Sequence, residues 1–86
     1  MNGLFDEERQ ALEWLGQRLR LARKRRGDRQ SDAAARCRIS RETYRKMERG
    51  EPGVAIGIWV RAIAMYGELE ALLALFPASP FDEITS

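Results

Sequence analysis

ISRETYRKMERG, residues Ile39 to Gly50, contains a start, a stop and two distinct faces of one short helix. Ser40 is suited to the N-cap, where its hydroxyl oxygen accepts a hydrogen bond from an otherwise unpaired N–H of the first turn. Gly50 is suited to the left-handed residue that follows a helix end. At about 100° per residue, Arg41, Glu42, Arg45, Lys46 and Arg49 share one arc, and Ser40, Thr43, Tyr44 and Met47 share the other. The first arc is long, polar and mostly cationic. The second is apolar enough to pack. A helix anchored by Tyr44 and Met47 that holds arginine, glutamate and lysine outward suits base edges and phosphates in a DNA major groove. Most charged arcs are only solvated faces, but here the flanking sequence argues otherwise.

The charge of the chain is sharply partitioned. The formal net charge of +2 on 86 residues conceals thirteen basic and four acidic side chains between positions 17 and 50. Residues 1–16 hold four acids against Arg9, and residues 51–86 hold five acids against Arg61. One basic surface between two acidic segments points to a polyanionic partner. The hydrophobic fraction of 44% and the charged fraction of 33% are those of a globular domain. The amino terminus lacks the basic-then-apolar pattern of a secretory signal. The apolar run Val54 to Tyr66 is interrupted by Arg61 and too short for a bilayer. The expectation is a cytoplasmic protein with no membrane association. Cys37 is the single cysteine and histidine is absent. That removes an internal disulfide, Cys/His metal sites and histidine-based catalysis. Cys37 reads as a small buried apolar residue. No cofactor, no metal and no enzymatic activity are expected.

Outward from the opening stretch, the pattern is helical throughout. Asp6 is placed to cap a first helix running to Arg26, with Glu7 and Glu8 favourable against its dipole. Leu12, Leu15, Leu19 and Ala22 form its buried stripe. Trp14 and Leu21 lie beside it, as a second packing face or a partner surface. The bases Arg23 to Arg26 suit the negative helix end before Gly27. A second helix, about Gln30 to Cys37, is rich in alanine and so able to approach its neighbours closely. Arg38 and Ile39 form a tight turn into the Ser40 helix. Two short helices so joined define a helix-turn-helix. After the loop Glu51–Gly53, a fourth helix spans about Ala55 to Tyr66, with Ile56, Val60, Ile63 and Ala64 inward. A fifth spans about Glu68 to Phe76 and carries more apolar surface than one core stripe requires. Residues 1–77 thus make one domain. Residues 78–86 make an extended tail, with Phe81 and Ile84 as anchors.

Leu15–Gly27 (LGQRLRLARKRRG), Gln30 and ISRETYRKMERG resemble the lambda-repressor-like helix-turn-helix of the xenobiotic-response-element regulators. Gly50–Gly67 (GEPGVAIGIWVRAIAMYG) resembles, more narrowly, HipB-like antitoxins. The resemblance covers about Leu12 to Phe76. It implies an all-α, five-helix DNA-binding domain with the helix-turn-helix at helices 2 and 3. It implies that Arg41, Glu42 and Lys46 read bases, with Arg45 on the same arc. Gln30 would contact phosphate and brace the recognition helix. Ser40 and Thr43 would lie near the DNA backbone. Arg23 would pair with Glu48. This chain departs from the pattern at Arg38, which replaces the usual turn glycine. It departs again at Asp28 and Ala33, where larger apolar residues are usual and where the tryptophans would compensate. Glu51 stands where a phosphate would pass.

The expected function is sequence-specific binding of double-stranded DNA at a palindromic operator by a homodimeric repressor of its own or a neighbouring operon. Arg41, Glu42, Arg45 and Lys46 are the candidate base readers. Arg29, Gln30, Arg38, Ser40, Thr43 and Arg49 are the candidate phosphate ligands. The alternative is an antitoxin that also neutralises a partner toxin protein, resting on the acidic, leucine-rich surface outside residues 17–50. That same surface serves equally as a dimer seam.

Overall fold

The computed structural model describes residues 3–79 and residue 81. Among these, five helices are present: α1 (Asp6–Arg26), α2 (Gln30–Cys37), α3 (Arg41–Glu48), α4 (Ile56–Met65) and α5 (Leu69–Leu73). No strand occurs among the described residues. The order of the helices, the end of α1 and the boundaries of α2 and α3 follow the sequence signals. α3 packs against α1 and α2, α2 against α4, and α4 against α5. The fully enclosed core is small: Leu19, Ala33, Ala34, Cys37, Tyr44, Met47, Trp59 and Ala62.

The start of α1 differs from expectation. Phe5, not Asp6, holds the N-cap position. Its N–H donates to Glu8 Oε1 at 3.1 Å, so a reach-back from the third helical residue serves in place of a capping side chain. Asp6 joins Glu7 and Glu8 in the first turn, against the positive helix end. The inward face of α1 is also rotated. Gly16, Leu19 and Arg23 are its buried residues, Leu12 and Ala22 are half-buried, and Leu15 is exposed. The reason is a close crossing with the end of α3. A Cβ on Gly16 would lie 2.6 Å from the carbonyl oxygens of Met47 and Glu48, and one on Gly50 would lie 2.8 Å from the Glu13 nitrogen. Only the absence of side chains at both positions lets these backbones touch.

α4 presents a different face from the expected one. Of the four residues expected inward, Ile63 packs against the core and Val60 is half-buried, but Ile56 and Ala64 are exposed; Trp59 and Ala62 are buried, with Ile58 and Tyr66 packed beside them. The largest ring sets the rotation of the helix, and the three- and four-residue spacing of 59, 62, 63 and 66 then follows. Of the two tryptophans, only Trp59 thickens the thin core around Ala33; Trp14 is 56% exposed. Asp28 is held by Arg36, at 2.5 Å, in place of the apolar residue usual there. α5 is shorter than expected. Of its leucines, Leu72 is half-buried, while Leu69 and Leu73 are exposed. Phe81 is 92% exposed, so it does not anchor the tail against the described residues. Ile84, its expected companion, lies outside the described residues.

Candidate nucleic-acid interface

Local chemistry fixes α3 at both ends. Ser40 Oγ accepts from the Thr43 N–H at 3.0 Å and donates to Thr43 Oγ1 at 2.9 Å. Gly50 takes φ 70° beyond the last turn. The turn that feeds α3 carries the one non-glycine residue of positive φ among those described, Arg38 at φ 56° and ψ 43°. Its N–H donates to the Ala35 carbonyl and the Ile39 N–H to the Ala34 carbonyl, both at 3.1 Å, closing α2. An L-residue there costs about 1–2 kcal/mol relative to right-handed backbone. A cationic side chain therefore stands at the helix-turn-helix corner at some expense in stability.

Beneath α3 lies a charged lock. Arg23 Nε and Nη2 donate to the two Glu48 oxygens at 2.6 and 3.1 Å. Gln30 Nε2 donates to Glu48 Oε1 at 3.0 Å, and Arg23 Nη1 donates to the Asp28 carbonyl at 3.0 Å. Arg23 and Glu48 are both buried. Burial works to raise the Glu48 pKa, but hydrogen bonds from Arg23, Gln30 and Tyr44 outweigh it and hold the carboxyl below its usual range. The Arg23 guanidinium is raised in turn, chiefly by its bond to Glu48. Burial first, and the neighbouring Tyr66 hydroxyl second, push the Tyr44 phenol upward, so it stays a neutral donor. Three helices are thereby tied at one carboxylate: α1 through Arg23, α2 through Gln30, and α3 through Glu48 itself. The pair implied by the resemblance is present. The bracing role of Gln30 is a hydrogen bond to Glu48.

The outward face divides into engaged and free cations. Glu42 lies 3.6 Å from Arg45 and 3.2 Å from Arg49, and Arg49 lies 3.1 Å from Glu51. Arg29 lies 3.3 Å from Asp32. Among the described residues Arg38, Arg41 and Lys46 have no acidic partner. They are exposed on the turn and on α3. Thr43 is half-buried beside the cap. Arg45, Arg49, Gln30 and the lock also line a cleft of about 300 Å³, together with Arg20. Sequence reasoning did not single out Arg20, one arginine among several on α1. Only the crossing of α1 and α3 brings it to this side. Of the four bases closing α1, Arg23 is consumed in the lock and Arg26 donates to the Met65 carbonyl at 3.1 Å, so half of that run is structural. Burial raises the pKa of the Cys37 thiol, as expected for an inert packed residue.

A helix-turn-helix whose second helix is braced from below and cationic above defines a DNA-binding module. Residues 14–76 match the family model described as a helix-turn-helix domain, and the chain belongs to that family. Neither a curated protein nor a solved structure matches it. Among the described residues no helix is long and apolar enough to cross a membrane.

Proposed function

We propose that this chain is a sequence-specific, double-stranded-DNA-binding transcriptional regulator, a cytoplasmic homodimer that represses its own or a neighbouring operon. The observation that carries this reading is the pairing of a buried lock under α3 with unpartnered cations above it. Arg41 and Lys46 approach guanine O6 and N7, and Arg45, on the same arc, reads bases with them, while Glu42 accepts from cytosine N4 once Arg45 and Arg49 release it. Arg29, Gln30, Arg38, Ser40, Thr43 and Arg49 supply the backbone contacts, and Arg20 joins them from α1. One such module reads few base pairs, so two copies placed about 34 Å apart across a palindrome supply the specificity. The role is binding, with no reaction catalysed.

The test is binding of the purified protein to the DNA preceding its own gene, against random DNA of equal length. The reading expects preference for the former by a factor of at least about 10³ at physiological salt. Equal affinity for both sequences contradicts it. A protein that binds neither DNA, yet forms a stoichiometric complex with the product of an adjacent gene, favours the antitoxin alternative without its autoregulatory part.

A further inference from the structure

Behind the DNA-facing side runs an apolar groove of about 410 Å³ between α1, α4 and α5. Trp14 and Leu15 line it from α1 and Trp59 and Ile63 from α4, and Arg18, Arg25 and Glu68 stand among its walls. Arg18 covers the Trp14 ring at 4.2 Å. Its volume lies in the range of about 300–1,000 Å³ typical of pockets that enclose a ligand. The groove is adjacent to a projecting apolar segment. Leu73, Leu75 and Phe76 are 73%, 62% and 92% exposed. Phe76 does not enter the groove of its own chain. The charges favour that segment on balance: the chain has no base after Arg61, and Glu70, Asp82 and Glu83 flank Phe76 in sequence, while the groove carries Arg18 and Arg25 against its own Glu68.

We infer that the groove is the docking site for the Phe76-bearing segment of a second copy of this chain, exchanged reciprocally. The inference deepens the dimer reading above and rests on it. Hole and projection share α5 as a common wall, since Ala71 lines the groove. A two-fold axis beside α5 therefore places each Phe76 in the other copy's groove, giving a closed, isologous interface. The interface leaves DNA binding unobstructed. At about 100° per residue, Trp14, Arg18 and Arg25 lie on the opposite face of α1 from Gly16, Arg20 and Arg23. One helix thus separates the dimer groove from the DNA cleft.

Leu15→Cys and Phe76→Cys, made in separate full-length proteins, test the exchange directly. Cys37 is fully buried and does not compete. Mixed under mild oxidation, the two variants are expected to form an interchain disulfide, at a yield at least about tenfold above either variant alone. Phe76→Ser and Trp14→Ser should each raise the dimer dissociation constant at least about tenfold, with the helical circular dichroism spectrum unchanged. Three results overturn the exchange: Phe76→Cys cross-linking best to itself, which marks a direct α5 seam; a chain carrying both Leu15→Cys and Phe76→Cys closing on itself as a monomer; or a wild-type monomer at tens of micromolar. The regulator reading is judged separately. Phe76→Ser should still bind random DNA as a monomer, with the salt slope reduced to about half that of the dimer, so loss of dimer with DNA binding retained affects only one claim. Cysteine variants that cross-link as described, beside a wild-type protein that binds no DNA, overturn the other.

Discussion

Glu48 receives hydrogen bonds from two helices other than its own, and its charge holds α3 in place. Replacing it with glutamine leaves the Arg23 guanidinium buried without a counter-charge. The expected cost is about 3–5 kcal/mol, measured as a fall in the urea midpoint. The pH dependence has a definite sign. Glu48 has a lower pKa folded than unfolded, so its contribution is fully present above the unfolded value of about 4.3. It is lost as pH falls through the lower folded value. Wild-type stability should decline on acidification in that window, more steeply than that of Glu48→Gln. Arg38 shows the opposite balance. Arg38→Gly removes the left-handed penalty of about 1–2 kcal/mol, partly offset by about 0.4–1 kcal/mol of added unfolded-state entropy. A higher melting temperature is expected. Weaker binding to specific and random DNA alike should accompany it, with the salt slope reduced by about one unit. An unchanged salt slope would show that Arg38 touches no phosphate.

Helix packing depends on a glycine crossing that hydropathy does not reveal. Gly16→Ala places a methyl group 2.6 Å from backbone carbonyls of α3 and is expected to cost about 1–3 kcal/mol. Gly57, near the start of α4, has open space around its Cβ position, so Gly57→Ala should stabilise by up to about 1 kcal/mol. Thermal denaturation of the two variants should move in opposite directions. The contrast also shows what was legible. α3 was readable in register because Ser40, Gly50 and the anchors Tyr44 and Met47 each carry a local signal. α4 was readable as a helix but not in rotation. Ile56, Ile58, Val60, Ile63 and Ala64 surround it with apolar side chains, and only the placement of Trp59 against the core selects a face. Gly16 reads in sequence as a weak point in α1, because its partner backbone lies more than thirty residues away. The ion pairs of Glu42 with Arg45 and Arg49 follow three- and seven-residue helical spacing. That Glu51 also reaches Arg49 depends on the loop path.

At the scale of the whole molecule, the partition of charge becomes a division of labour. The basic stretch of the sequence forms α2, α3 and the α1 face beside them, while the apolar helices α4 and α5 form the other side. α1 runs between the two and contributes to both. The central claim is that α3 reads sequence while the turn before it mainly holds phosphate. The most direct measurement is affinity against salt concentration for wild type, Arg41→Ala and Arg38→Ala, on the DNA preceding the gene and on random DNA. Arg41→Ala is expected to lose about 1–3 kcal/mol on the specific site and little on random DNA. Arg38→Ala is expected to weaken both about equally and lower both salt slopes by about one unit. If the two variants show the same loss on both sequences, α3 is not the reading element and the account is wrong.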